Sequence, residues 1–113
     1  ICAGILAQSM GLPIEHFVAS TNVNDTIPRY IKEGIYEPLK TKNTISNAMD
    51  VSEPSNFIRI QKIFNNDLQK IRENISGYSF DDKSTVDCIE KLNQQNKYIT
   101  DPQSAIGYLG LKK

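Results

Sequence analysis

The sequence predicts an α/β fold that is rich in helix and has one or two short strands in a parallel sheet. Residues 1–10 place apolar side chains almost all round a predicted helix, which a Gly-Leu-Pro turn ends. The short apolar segment 16–21 follows, and its small polar end is typical of a buried strand in a parallel sheet. Helix, tight turn and strand in this order form half of a βαβ unit, and residues 77–80 predict a second short strand.

A second helix is predicted directly after the first strand. Asn24 or Asp25 can cap its amino terminus, Pro28 fits its first turn, and Gly34 is a stop signal. Residues 35–54 contain two prolines and few periodic apolar positions, so they predict a loop.

Three further helical segments follow from apolar periodicity and capping residues. Apolar side chains recur at steps of three and four over residues 57–71, with a break predicted near Asn65-Asn66. Asp81 or Asp82 opens the next helix, whose predicted apolar face consists of Val86, Ile89 and Leu92. Thr100-Asp101-Pro102 opens the last helix, with the aspartate as cap and the proline at the first helical position.

Both ends of the sequence lack the usual signals of a domain boundary. The first helix has no capping residue before it and is predicted to be buried, and residues 111–113 lie within a helical pattern. We therefore expect residues 1–113 to form part of one domain of a longer protein. A truncated sheet leaves open edges and bare apolar faces, which predicts self-association.

Composition and charge exclude several classes of protein. The 13 basic and 13 acidic residues cancel, which argues against binding to nucleic acid or to an anionic membrane surface. One histidine and two cysteines are too few for a His/Cys metal cluster or a disulfide framework, so a cytoplasmic protein is expected. We predict structural roles for these three residues, which are His16, Cys2 and Cys88.

Two polar clusters are the candidate functional features. Residues 21–26, Thr-Asn-Val-Asn-Asp-Thr, lie where the first strand gives way to a helix. In open parallel sheets ligands bind at this end of the strands, and a helix amino terminus favours anions. Residues 46–50, Ser-Asn-Ala-Met-Asp, lie in the long loop. On pattern alone the first cluster also fits a helix cap, and the second also fits a solvated loop.

Four segments of the sequence carry a family resemblance. Residues 19–30 read Ala-Ser-Thr-Asn-Val-Asn-Asp-Thr-Ile-Pro-Arg-Tyr, and residues 46–51 read Ser-Asn-Ala-Met-Asp-Val, with Pro-Ser-Asn-Phe at 54–57. Residues 3–13 and the Asp-Pro-Gln-x-Ala element at 101–105 add weaker matches. In the same order, these segments resemble those of threonine synthases, although Gln103 replaces the usual histidine.

The resemblance implies a pyridoxal-phosphate enzyme of the tryptophan-synthase β-like fold. Residues 1–113 would be a fragment of the three-layer parallel-sheet large domain of this fold-type II enzyme. Threonine synthases convert O-phosphohomoserine and water into threonine and phosphate with this cofactor. The family's cofactor lysine and Gly-rich phosphate loop would lie upstream of residue 1. The resemblance therefore assigns no catalytic residue and no metal ligand, and the segment alone is expected to be inactive.

The resemblance also names candidate residues for the substrate or cofactor cleft. Either these residues line the cleft, or they only shape the loop and the turn from strand to helix. They are Asn22, Asn24, Asp25, Thr26, Ser46, Asn47 and Asp50.

Two competing functions remain open at the level of sequence. The first is another lyase of the same fold, such as a threonine dehydratase, which would release a keto acid. The second is a homologue that binds a phosphorylated ligand without converting it. A free-standing interaction domain is disfavoured by the uncapped apolar helix at the start of the sequence.

Overall fold

The computed structural model describes residues 1–113 and contains six α-helices, two β-strands and one 3₁₀ turn. In chain order these are α1 (Cys2–Ser9), β1 (Phe17–Thr21), α2 (Thr26–Glu33), the 3₁₀ turn (Asn47–Met49), α3 (Phe57–Ile63), α4 (Leu68–Asn74), β2 (Ile75–Ser79), α5 (Asp82–Asn96) and α6 (Pro102–Leu111). This order confirms the predicted helix-rich α/β fold. No helix combines the length and the apolar character that a membrane crossing requires.

Local signals place most helix ends correctly. Helix α2 ends at Gly34, whose φ of 81° is the left-handed conformation that glycine adopts without strain. Asn65 and Asn66, at φ values of 53° and 58°, separate α3 from α4 and confirm the predicted break. The Asp101 carboxylate accepts a hydrogen bond from the Ser104 N–H at 2.9 Å and caps α6 as predicted.

The two strands pair in parallel, with Phe17 opposite Ile75 and Thr21 opposite Ser79. The second strand thus begins two residues earlier than the predicted segment 77–80, because Ile75 already pairs with β1. A parallel pair needs a crossover connection, and residues 22–74 provide it.

Helices cover both faces of this sheet. Gly77 lies against α2, where an added Cβ would come within 2.7 Å of the Pro28 Cα. Gly110 of α6 lies against Val18 and Ser20, whose side chains face the opposite side. The arrangement is three-layered, with helix on sheet on helix, and it fits the predicted three-layer parallel-sheet architecture.

The main hydrophobic core lies between the sheet and the helices on the α2 side. The rings of Tyr30, Tyr36 and Phe57 pack together there, with Tyr36 and Phe57 stacked at 5.6 Å between centroids. Eight buried residues form this core: Ile5, Ala19, Tyr30, Ile31, Phe57, Ile60, Ile71 and Ile75.

Two predictions about burial are wrong. Helix α1 buries only Ile5, while Leu6 is 51% exposed and Met10 88% exposed, because no element of the chain packs on those sides. In α5, Val86 is 41% exposed and the buried residues are Thr85 and Cys88. The Thr85 hydroxyl donates to the Asp81 carbonyl at 2.8 Å, which allows this polar residue to be buried.

Candidate functional site

The two polar clusters predicted from the sequence meet in one hydrogen-bond network. Asn22, the residue after β1, is 1% exposed. Its Nδ2 lies 2.9 Å from the Thr44 hydroxyl, 3.1 Å from the Ser46 hydroxyl and 2.8 Å from Asp50 Oδ1. Two amide hydrogens thus face three acceptors, so the Asn22 side chain has no donor left for a ligand.

Asn24 ties the same network to the middle of the loop. Its Nδ2 lies 3.0 Å from Asn22 Oδ1 and 2.9 Å from the Lys42 carbonyl. Its Oδ1 accepts from the Lys42 N–H at 2.8 Å and from the Ser52 hydroxyl at 3.1 Å. Asn24 therefore holds Lys42 by both backbone groups, as a strand partner would.

Asp50 is the one carboxylate in this network. Its Oδ1 accepts from Asn22, and also from the Thr44 hydroxyl at 2.8 Å, while its Oδ2 accepts from the Thr44 N–H at 3.0 Å. Burial opposes its ionisation, but the hydrogen bonds from Thr44 and Asn22 outweigh that effect. These hydrogen bonds hold the pKa of Asp50 below its usual value of 3.8.

We define this polar network as Asn22, Asn24, Thr44, Ser46, Asp50 and Ser52. Every buried side-chain nitrogen and oxygen atom in the protein has a hydrogen-bond partner. The network is therefore satisfied internally, as buried polar clusters must be if they are to avoid a desolvation cost.

Three of the seven predicted site residues lie outside the polar network. Asp25 precedes α2 without capping it by its side chain, and pairs instead with Arg29 at 3.4 Å. Thr26 opens α2 and is 3% exposed, while Asn47 begins the 3₁₀ turn with an exposed side chain. The prediction from sequence missed Thr44 and Ser52, although both are small polar residues that flank the 46–50 cluster.

A cavity of about 540 Å³ lies beside the polar network, on β1. Its walls come from α1, β1, α2, the 3₁₀ turn, α3 and α6, and they are mostly apolar. Polar lining residues include Ser20, Thr21, Asn56 and Gln103. Its volume lies in the range of about 300–1,000 Å³ that is usual for small-molecule sites.

The amino terminus of α1 opens on this cavity. Ile1 and Cys2, at the start of this helix, line the cavity. The first N–H groups of a helix have no partner within the helix, and its dipole favours negative charge there. This end of the cavity is therefore suited to an anionic group such as a phosphate.

The polar network and the cavity are joined through the chain. Thr21 lines the cavity and Asn22 belongs to the network, while Met49 lines the cavity and Asp50 belongs to the network. Each sequence cluster thus supplies one residue of the cavity wall, next to a residue of the polar network.

The remaining reactive side chains lie outside the polar network. His16 Nε2 lies 2.8 Å from the Ser76 hydroxyl on the surface. Burial raises the pKa of the Cys88 thiol, although Lys112 and Lys91 oppose the shift. Cys2 is half-buried in the cavity wall, and both cysteines are free thiols.

Comparison with known proteins identifies relatives of this chain. No family model matches the sequence. Threonine synthase of Escherichia coli is 40% identical over 113 residues, which cover 99% of this chain and 26% of that protein. Threonine synthase of Haemophilus influenzae is 43% identical over 112 residues, with the same coverage of 99% and 26%. The chain thus spans about a quarter of the length of the curated relatives that it matches.

Solved structures show the same relationship. The crystal structure of threonine synthase from Escherichia coli superposes with a TM-score of 0.90 at 39% identity, covering 98% of this chain and 26% of that one. The structure of pyridoxal-phosphate-bound threonine synthase from Brucella melitensis gives a TM-score of 0.92 at 30% identity, covering 97% and 29%. In both sequence and fold, the chain is therefore homologous to a segment that makes up about one quarter of the length of these threonine synthases.

Proposed function

We propose that this chain forms part of a threonine synthase, a pyridoxal-phosphate-dependent lyase that converts O-phospho-L-homoserine and water into L-threonine and phosphate. The observation that carries the proposal is the agreement of sequence and fold over nearly the whole chain, with 40% identity to the Escherichia coli enzyme and a TM-score of 0.90. The segment supplies one strand-helix unit, its long loop and the helices on both sides of the sheet.

The residues around the cavity fit pyridoxal phosphate. The amino terminus of α1 would hold the cofactor phosphate, and the apolar wall beside β1 would accept the ring. When bound, the cofactor supplies the electron sink for proton loss from the substrate carbons. The cavity residues of this chain would bind and orient the ligand, and would keep water away from its apolar side.

We further propose that the seven predicted cleft residues have three different roles. Four of them form hydrogen bonds with one another and with the loop, which supports a role in shaping the cleft. These four are Asn22, Asn24, Ser46 and Asp50. Asn47 is exposed and belongs to the same 3₁₀ turn as the cavity residue Met49, which supports contact with ligand. The remaining two, Asp25 and Thr26, would support the turn into α2.

The test uses the full-length protein that carries this segment. With pyridoxal phosphate bound, it is supplied with O-phosphohomoserine, and threonine and inorganic phosphate are measured together. Release of both in equal amounts is the expected result. Phosphate with a keto acid would instead identify a lyase related to threonine dehydratase. Binding of the ligand without release of either product would identify a non-catalytic homologue.

Two properties beyond the reaction complete the proposal. A cytoplasmic location is supported by the two free cysteines, since disulfides are rare in that compartment. Self-association of the isolated segment is supported by the exposed apolar side chains of α1 and α6, among them Leu6, Met10 and Leu111. Sedimentation velocity of the isolated segment tests the second point, and a monomer at all concentrations would contradict it.

A further inference from the structure

We propose that Asp50 is a positioning residue: its carboxylate closes the loop over residues 44–50 and fastens it to the end of β1, so that Met49 forms a fixed wall of the cavity. The proposal rests on the proposed function only where it concerns turnover. Its structural part concerns the loop itself and is tested separately below.

The first step is the closure of the loop. Asp50 accepts from the N–H and the hydroxyl of Thr44, six residues earlier in the chain. Between them, the Met49 N–H donates to the Ser46 carbonyl at 2.8 Å and forms the 3₁₀ turn. The Asp50 side chain thus joins the two ends of a short, otherwise irregular segment.

The second step is attachment to the sheet. Asn22 follows β1 directly, and its amide donates to Asp50 Oδ1 at 2.8 Å. Asn24 Nδ2 approaches the same oxygen at 3.2 Å. The loop is therefore held to the strand end by charge-assisted hydrogen bonds, which are about twice as strong as neutral ones.

The groups around position 50 explain why this residue is an acid. Every group that faces the carboxylate is a hydrogen-bond donor: two side-chain amides, one hydroxyl and one backbone N–H. An amide at position 50 would turn its own N–H₂ toward at least one of these donors. The charge of Asp50 is thus matched to its surroundings, and a neutral isostere cannot replace it as long as Asn22 donates to this position.

The fourth step connects the loop to the cavity. Met49 and Thr21 line the cavity, and each is the chain neighbour of a network residue. If the attachment is lost, Met49 moves with the 3₁₀ turn while β1 stays in place. The wall that orients the ligand then becomes mobile without loss of the fold.

The experiment compares three variants of the full-length protein with pyridoxal phosphate bound. Asp50→Asn removes the charge at constant size. The exchanged pair, Asn22→Asp with Asp50→Asn, restores a carboxylate and an amide facing each other. Asp81→Ala is the matched control, because it removes an aspartate that accepts from the Ser84 N–H at 2.8 Å in a helix that does not line the cavity. The readouts are amide hydrogen exchange at Met49, the thermal midpoint, and kcat and KM for O-phosphohomoserine.

We expect Asp50→Asn to speed exchange at Met49 about tenfold and to lower kcat/KM about tenfold, as loss of one strong hydrogen bond to a charged group predicts. The exchanged pair should recover part of both. Asp81→Ala should change neither by more than about twofold at a comparable loss of thermal midpoint. Unchanged exchange at Met49 in Asp50→Asn would overturn the proposal, and so would an exchanged pair that recovers nothing. An equal loss of kcat/KM in Asp81→Ala would show that Asp50 acts only through stability.

Failure of the proposed function gives a different pattern. In that case the wild-type protein releases no threonine, whereas exchange at Met49 still responds to Asp50→Asn and to the exchanged pair. The proposed function and the role of Asp50 are therefore tested by separate measurements.

Discussion

The polar network and the cavity lie side by side at the end of β1, yet they are built in opposite ways. In the polar network the side chains satisfy one another, and Asn22 and Ser46 are almost completely buried. The cavity is open, mostly apolar and lined by residues from six elements. Most residues of the two polar clusters thus form the support of the cavity, and the surface that a ligand would touch comes mainly from other residues.

A polar motif in a sequence can indicate a ligand-binding site or a loop that is held by buried hydrogen bonds. A buried polar residue is costly unless it is hydrogen-bonded, so a dense polar motif can specify a loop conformation as well as a binding site. Here each polar cluster supplies one cavity-lining residue, Thr21 or Met49, next to residues of the polar network that hold the wall in place.

The largest effect is expected from Asn22→Ala. This variant leaves Asp50 and Ser46 without their shared donor, and it should lower the free energy of unfolding by about 3 kcal/mol. The matched control is Asn47→Ala in the same loop, where the exposed side chain should change stability by no more than about 0.5 kcal/mol. Urea denaturation of the full-length protein measures both free energies of unfolding. Similar losses for the two variants would contradict the conclusion that Asn22 supports the loop while Asn47 lies on its surface.

A smaller effect is expected from Gly110→Ala in α6. The added Cβ would overlap the Ser20 hydroxyl and come within 3.1 Å of the Val18 side chain, so the Ser20 side chain must rotate or α6 must shift away from β1. Such overpacking costs about 1–3 kcal/mol.

The control for this substitution is Gly107→Ala in the same helix, where nothing lies within 4 Å of the new methyl group. It should raise the free energy of unfolding by up to about 1 kcal/mol, since alanine favours helix over glycine. Because Gly107 lines the cavity, the same variant should also weaken the binding of pyridoxal phosphate. Equal stabilities of the two variants would show that α6 does not pack closely on the sheet.

The smallest effect is expected in the pH dependence of stability. The folded protein holds the pKa of Asp50 below the usual value of 3.8, so the unfolded chain takes up this proton first as the pH falls. The contribution of Asp50 is therefore complete above that value and is lost as the pH falls through the folded pKa. Asp50→Asn should flatten the stability curve below about pH 4, as pH-dependent urea denaturation of the full-length protein would show. An unaltered curve in Asp50→Asn would contradict the hydrogen-bonded state of this carboxylate.

Several elements could be predicted from local sequence because their causes are local. Asp101 and Pro102 begin α6, Gly34 ends α2, and Asn65 with Asn66 breaks the third helical segment, each through its own backbone preference or capping side chain. The family resemblance likewise rested on contiguous segments, and comparison of both sequence and structure supports it.

The same local reasoning failed where burial depends on neighbours. Met10 and Leu6 are apolar but exposed, because helix periodicity gives a face and does not provide a partner for it. In α5 the periodicity favoured Val86, whereas the buried face runs through Thr85 and Cys88, because α6 packs there. A pattern of apolar residues does not record which side the next helix will take.

The sequence by itself determined the order of the elements, most of their ends and the two polar clusters that flank the cavity. Only the tertiary structure decided that Asn22 meets Asp50 across 28 positions of the chain, and that β1 pairs with β2. The physical reason is the range of the forces involved. Capping and turn preferences act within a few residues, whereas the hydrogen bond between Asn22 and Asp50 requires the fold to bring together residues 28 positions apart.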